Sequence, residues 1–471
     1  MADWLVDTRT RPGTAIMPGE APHEVYQRLI SKDGNKAPET IAMTLPQDLG
    51  LGGIDKKRYY DPTFHRLEVE RLWTRTWQMA CREEEIPEVG DVVVYDLAEH
   101  SFLITRVAPD EIRAYRNACL HRGTRLCDDD TSVGQFRCPF HGFTWSLEGQ
   151  LSEVPCRWDF PQVEEARFRL PEAKVGRWGG FVFINMDQDA PSLAEYMGIL
   201  PDHVSGENFA GKYIARYFRK VLPANWKACI EAFLEAYHSV ETHAWSLGFT
   251  NDANAQYDIF PDSPHVTRFM HAFGVQSPHV DRTLSEQEVL EELFKIFWNG
   301  EQAPRLAPGE QARPFAAALA RQRRSAEMGR DYSHYSDAES IDSIEYMLFP
   351  NLVLFKGLMV PTVYRFRPNG NDPDSCIFDL YLLLEVPEGE ARPEPAMVFD
   401  MGEMSYAELP GLGHFFGTTY DQDTSNLGMQ QKGMKTLLQD ELVLGQYQES
   451  RLRHFEKMVD QYLAMPGSVP K

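Results

Sequence analysis

Two short segments, each pairing a cysteine with a histidine, limit most sharply what this chain can fold into. Cys119-Leu120-His121 comes first, and Cys138-Pro139-Phe140-His141 follows after sixteen intervening residues. Any fold must bring two tight turns together so that two thiols and two imidazoles share one metal site. Two chemistries accept such donors. In a two-iron, two-sulfur centre of mixed ligation, two thiolates hold one iron and two imidazoles the other, so each turn supplies one ligand to each iron. A structural zinc takes the same four donors tetrahedrally. Spacing alone leaves both open. Gly123, Pro139 and Gly142 supply turn chemistry beside the candidate ligands.

Composition narrows the setting. The seven cysteines, in a chain of 471 residues, are odd in number and do not read as a disulfide framework. Cys127 and Cys156 lie near the paired motifs in sequence and are assigned to core packing. The net charge of −23 leaves no basic excess with which to displace counterions from nucleic-acid phosphates. No apolar run approaches the length needed to cross a bilayer. Met1-Ala2-Asp3-Trp4-Leu5-Val6-Asp7 carries acids where a secretory signal has a basic start, so a cytoplasmic location is expected.

The pattern along the chain predicts an α+β protein. Residues 1–54, with many Pro, Gly and Thr, read as an irregular arm. Residues 55–85 hold one helix, from Tyr59 to Met79, on the spacing of Phe64, Leu67, Leu72, Trp73 and Trp77. Short β-prone runs then follow at Val92–Tyr95, Phe102–Ile104, Ile112–Tyr115 and Gly180–Ile184. They place a small all-β domain at 86–185. The larger domain, 186–471, should hold a helix at Asn225–Val240, strands at Tyr346–Phe366 and Ile377–Val386, and a long C-terminal helix at Leu438–Leu463. A polar stretch at 284–340 reads as a surface insertion with helices at Glu286–Trp298 and Pro314–Glu327.

A second set of donors lies in the larger domain. Glu235-Ala236-Tyr237-His238 and Ser239-Val240-Glu241-Thr242-His243 give E-x-x-H-x-x-x-x-H. Iron that activates O₂ without haem is held by two imidazoles and one carboxylate on one face, with other positions open. On an ideal helix a five-residue step rotates His243 about 140° from His238. Both reach one metal only if the helix ends or bulges between them, and that break is expected.

Both motifs, with their surroundings, resemble one family. Asn117-Ala118-Cys119-Leu120-His121-Arg122-Gly123, Cys138-Pro139-Phe140-His141-Gly142-Phe143-Thr144-Trp145 and Gly149-Gln150-Leu151 are similar to the Rieske domain of ring-hydroxylating oxygenases. Thr124 and Phe140 stand where respiratory Rieske proteins carry an extra cysteine pair, which favours the oxygenase type. Asn225-Trp226-Lys227 and Glu231–His238 resemble the catalytic-domain signature of the same family, with Ala232 where it usually has asparagine.

The resemblance implies a Rieske [2Fe-2S] cluster on Cys119, His121, Cys138 and His141, and a mononuclear Fe(II) on His238, His243 and a distant carboxylate. It implies an α+β catalytic domain whose central antiparallel sheet is flanked by helices, with the β domain inserted near its N-terminus. Asp423, three before Asn426 and ahead of Gln430-Gln431, fits the third ligand; Asp421 is its competitor. Glu235 matches a carboxylate that links a cluster histidine of one subunit to an iron histidine of the next, in a head-to-tail homotrimer. The implied activity is terminal oxygenation of an aromatic or polycyclic hydrophobic substrate, with electrons from a ferredoxin or flavin reductase. Arg116, Arg122, Arg125 and Arg137 would then form a docking patch for that donor, or else pair structurally with acids such as Asp128–Asp130. Phe269, Met270, Phe273, Met347, Phe349 and Met359 are candidates for an apolar substrate pocket. An electron-transfer protein without oxygenase chemistry and a zinc-stabilised scaffold are the competing functions.

Overall fold

The β-prone runs between 90 and 185 form one sheet whose two faces serve different cores. Its strand order is Gln78–Arg82, Phe181–Asn185, Glu172–Trp178, Glu111–Arg116, His100–Ala108, Asp91–Leu97 and Thr131–Ser132. Successive side chains on a strand point to opposite faces. Val93, Tyr95, Phe102, Ile104 and Ala114 therefore enter the main core, while Val92, Leu103, Val107 and Tyr115 cover a separate core containing Cys119 and Cys138. That second core also packs the small sheet Phe136–Arg137, Thr144–Trp145 and Leu151–Glu153. The computed structural model describes residues 20–298 and 300–466.

The larger domain is built on an eight-stranded sheet. Its order is Gln256–Ile259, Val266–His271, Ser343–Leu348, Leu352–Lys356, Thr362–Asn369, Asp372–Leu384, Tyr213–Leu222 and Val398–Asp400. Neighbours are antiparallel except the last pair, which is parallel. Helices His414–Thr436, Ser450–Ala464 and Trp226–Glu231 flank it, so the protein is α+β as expected. Among the described residues no helix is long and apolar enough to cross a membrane.

Several expected elements are corrected. The single helix at 59–79 is a 3₁₀ turn at Lys56–Tyr59, an α-helix at Pro62–Glu68 and a π turn at Val69–Trp73, followed by the strand Gln78–Arg82. Asp61 starts the α-helix by accepting from the Thr63 and Phe64 amides, and strand pairing with Phe181–Asn185 claims the chain beyond Trp77. The Tyr346–Phe366 run is three strands, turned near Pro350 and Pro361, since proline gives a ladder no N–H. The C-terminal helix begins only at Ser450, because Glu441–Leu442 pairs instead with Ile54–Asp55.

The arm is not wholly irregular: Pro22–Ile30 and Glu39–Ala42 are helical, with Tyr26, Ile30 and Ile41 buried. The acidic start at Met1–Asp7 lies outside the described residues. The stretch 284–340 is no mere surface insertion. Its helices, Glu286–Phe297 and Ala312–Met328, pack Leu290, Leu293, Phe294, Ala316 and Ala317 into a core shared with Phe249 and Phe273.

Candidate metal centres and active site

The two Cys–His turns are the same structure made twice. In the first, the Cys119 amide donates to the Thr124 carbonyl at 2.8 Å, and the Gly123 amide donates to the Cys119 carbonyl at 2.8 Å. In the second, the Cys138 amide donates to the Phe143 carbonyl at 2.8 Å, and the Gly142 amide donates to the Cys138 carbonyl at 3.0 Å. Each turn closes through a glycine with positive φ, 80° at Gly123 and 75° at Gly142, where a side chain is strained. The second turn is the tip of a hairpin in which Phe136 pairs Trp145 and Arg137 pairs Thr144. Asn117 fastens the first: its Oδ1 accepts from the Leu126 and Cys127 amides, and its Nδ2 donates to the Cys127 carbonyl.

These turns bring the four residues together. The His121 and His141 rings lie 4.8 Å apart, and the two buried sulfurs face each other closely enough to influence each other's protons. Burial pushes the Cys119 thiol up; the same effect on Cys138 is outweighed by the Phe140 and His141 amides aimed at its sulfur, which hold it below the ordinary thiol range. His121 Nδ1 is buried without a hydrogen-bond partner. Amides directed at thiolates and an orphaned imidazole nitrogen suit a metal cluster far better than a dry protein core.

The second site depends on a broken helix. Asn225 caps Trp226–Glu231, while the Lys227 ammonium bonds Glu68 at 2.6 Å and the Arg58 carbonyl at 2.8 Å, bolting that helix to the N-terminal segment. The expected helix at 225–240 stops at Glu231 and resumes only as the single turn Ser239–Thr242. His238 and His243 flank that turn, and His243 leaves it with φ −117° and ψ 38°. Their rings are 5.1 Å apart.

Asp423 reaches them from mid-helix in His414–Thr436, not from a loop. Its Oδ1 lies 2.7 Å from His243 Nε2 and 3.4 Å from His238 Nε2. Residues two apart on a helix face about 200° apart, so Asp421 points elsewhere. It accepts from the Tyr406 and Ala407 amides at 2.8 and 3.0 Å and from the Ser405 hydroxyl. Glu235 Oε1 accepts from His238 Nδ1 at 2.7 Å, and its Oε2 accepts from the His238 amide at 2.9 Å. Gln422 Oε1 accepts from His243 Nδ1 at 3.0 Å and from Trp245 Nε1 at 2.9 Å.

With Nδ1 donating on both rings, both Nε2 lone pairs turn toward a carboxylate oxygen. Three acceptors converge, all within 4.8 Å of one another, and such a set is stable around a cation. The field agrees. Burial works against charge on His238, yet the Glu235 and Asp423 carboxylates raise it well above the imidazole range. Asp423, despite burial, is held at about 2 by His243 and His238.

A cavity of about 160 Å³ opens beside this triad. Phe233, Phe249, Phe297, Phe355, Tyr364 and Phe415 form its aromatic wall, and Ala232 lines it too. Of the expected pocket residues, Phe269 and Phe273 line it. Met270, Met347 and Phe349 belong to the main core, because strand alternation turns Met270 away from the face that carries Phe269. Met359 lines an adjoining cleft that shares Phe297, Phe415 and Phe416 with the cavity.

Other expectations shift. Cys156 is exposed, with φ 53°, and is not core; Cys127 packs partly against the cluster-side core. Arg125 pairs Asp96 and Asp128, and Arg137 pairs Glu153. Arg116 lies over Phe102 with a guanidinium nitrogen 2.9 Å from His100, and Arg122 lies over Phe140. Sequence reasoning missed Gln422 and Trp245; their adjacency to Asp423 and His243 was the available signal.

This is the architecture of a two-centre metalloprotein: a cluster-binding β domain beside a domain with a two-histidine, one-carboxylate set. Residues 76–164 match the Rieske [2Fe-2S] domain, and residues 208–465 match the ring hydroxylating alpha subunit (catalytic domain). The chain belongs to the ring-hydroxylating alpha subunit family. The two matches indicate a Rieske cluster and a mononuclear iron, and the donor sets described above fit both.

Among curated relatives, the chlorobenzene dioxygenase subunit alpha of Cupriavidus sp. (strain PS12) is 32% identical over 41% of this chain and 45% of its own length. The biphenyl 2,3-dioxygenase subunit alpha of Rhodococcus jostii (strain RHA1) is 32% identical over 41% of this chain and 44% of its own. The chain thus spans less than half the length of these relatives in the matched region. Naphthalene 1,2-dioxygenase from Rhodococcus sp., solved with indole, shares the fold at a TM-score of 0.60 and 22% identity, covering 88% of this chain and 95% of that one.

Proposed function

We propose that this chain is the terminal oxygenase component of a multi-component system, which uses O₂ and electrons from a ferredoxin or flavin reductase to hydroxylate a small aromatic substrate. The observation that carries this reading is the convergence of His238, His243 and Asp423 at the edge of an aromatic cavity. Cys119 and Cys138 would hold one cluster iron and His121 and His141 the other; His238, His243 and Asp423 would hold the mononuclear iron. When bound, the cluster supplies single electrons and the mononuclear iron a site with open positions for O₂.

The chain's own part is positional. Glu235 and Gln422 accept hydrogen bonds from Nδ1 of His238 and His243, which fixes both tautomers and leaves Nε2 free toward Asp423. The aromatic wall excludes water and holds a flat substrate against the triad. An apolar void of roughly 150 Å³ accommodates benzene. The cavity therefore favours a single substituted ring over a steroid or terpenoid.

In this reading Glu235 also accepts from a cluster histidine of a neighbouring subunit, in a head-to-tail homotrimer in the cytoplasm. Residues 86–185 would act as the electron-receiving domain, and 186–471, together with the N-terminal segment 55–85, as the catalytic one. The aromatic cavity beside the triad favours this over an electron carrier, which has no use for one. The test is product analysis under ¹⁸O₂ with a generic ferredoxin and reductase and a panel of one- to three-ring aromatics. Label in a hydroxylated one-ring product is expected. Reductant-driven O₂ consumption with no labelled product from any substrate would count against it.

A further inference from the structure

The cavity beside the triad has two unlike walls. Opposite the aromatic wall, strands Val266–His271 and Ser343–Leu348 pair Phe269 with Glu345 and His271 with Ser343, and all four residues line the cavity. Most of the polar groups there are already engaged. Glu345 is held by Arg451 at 2.8 Å, and the Thr250 hydroxyl donates to the Ser246 carbonyl at 3.1 Å. His271 differs. Its side chain makes no hydrogen bond among the described residues, and its Nε2 is enclosed without a partner. Phe269 and Phe273 flank its ring at centroid distances of 6.0 and 5.3 Å.

An imidazole nitrogen withdrawn from water and left unpaired is destabilising, so a ring orientation that turns a nitrogen to the cavity and a ligand group that meets it are favoured together. We propose that His271 reads a neutral hydrogen-bonding substituent, which makes a hydroxy- or amino-substituted ring the preferred ligand over the bare hydrocarbon. This rests on the cavity being the substrate site. A neutral imidazole both donates and accepts. A half-turn of its ring exchanges nitrogen and carbon positions, so whichever edge meets the ligand can present a nitrogen. With Glu345 and Asp423 on the same cavity, a ring bearing a carboxylate is disfavoured.

The experiment is anaerobic calorimetric titration of the full-length, metal-loaded protein with phenol, aniline and toluene, which are close in size. In His271→Leu the phenol-to-toluene and aniline-to-toluene affinity ratios should fall about tenfold, with toluene affinity unchanged or improved. In His271→Gln, which keeps a donor and an acceptor, the ratios should stay within about twofold of wild type. Unchanged ratios in His271→Leu, or no binding of phenol and aniline by wild type, would overturn the proposal. Removing an orphaned polar group should not lower Tm; a fall of several degrees in His271→Leu would mark it as structural and also overturn the assignment. Iron and sulfide content of the same samples separates the two readings. Missing iron defeats the oxygenase reading, whereas full metal content with unaltered ratios defeats only the role of His271.

Discussion

The cluster site and the triad site differ in how far apart in sequence their parts lie. Cys119, His121, Cys138 and His141 sit on two turns that fix themselves, each through the same two backbone hydrogen bonds and one positive-φ glycine. The triad joins His238 and His243 to Asp423, which arrives on a helix some 180 residues later. Its geometry is made by packing that helix against a sheet and by side chains such as Gln422 and Glu235 that hold the rings. A site of the first kind is written locally. A site of the second kind is a property of the whole domain.

The largest expected effect tests that separation directly. Cys138→Ala should lose the cluster and its sulfide yet keep about one iron per chain, whereas His243→Ala should keep about two irons and the cluster EPR signal. Product formation should vanish in both. Loss of both metals from either variant would break the contrast. Asp421→Asn, by comparison, should retain mononuclear iron, since Asp421 ties down the 405–407 turn.

Next in size are the residues that hold the rings. Gln422→Leu should weaken mononuclear iron binding about 10- to 100-fold in an iron titration, with the cluster spectrum unmoved. Glu235→Gln should retain about three irons while single-turnover product falls at least about tenfold. Normal product from that variant would remove Glu235 from the path between centres.

Acid should strain the packed catalytic side. His203 and His265 are held down to about 4, chiefly by burial. The unfolded chain takes up these protons near pH 6.5, and the folded one only near pH 4. The stability they contribute is therefore complete above about pH 6.5. It falls below that by up to about 1.4 kcal/mol per pH unit for each histidine. Urea unfolding between pH 7.5 and 5 should show the slope, and His265→Phe should flatten it. The smallest effect belongs to the local site: Gly123→Ala meets no neighbour within 4 Å, so only its left-handed backbone is strained, at about 1 kcal/mol in Tm-derived stability.

What was readable in the sequence follows the same contrast. The Cys–His pairs, their glycines and the strands around them were legible because spacing and turn chemistry act over a few residues. The expected helix end between His238 and His243 corresponds to the end of the Ser239–Thr242 turn, but the earlier break after Glu231 was not anticipated; periodicity does not show where tertiary packing overrides helical propensity. Asp423 was legible as the third ligand only through the resemblance, because its helix is weakly amphipathic in pattern and does not show that Asp421 and Asp423 lie on different faces. His271 carried no signal at all. Its neighbours Phe269 and Met270 drew attention as apolar residues, whereas the strand register decides which of them meets the cavity.

The most direct test is metal and sulfide analysis of protein purified under argon, with EPR of the reduced sample. The account predicts red-brown protein with acid-labile sulfide, about three irons per chain and a mixed-ligand cluster signal. Colourless protein after reconstitution, or zinc in place of iron, would contradict it.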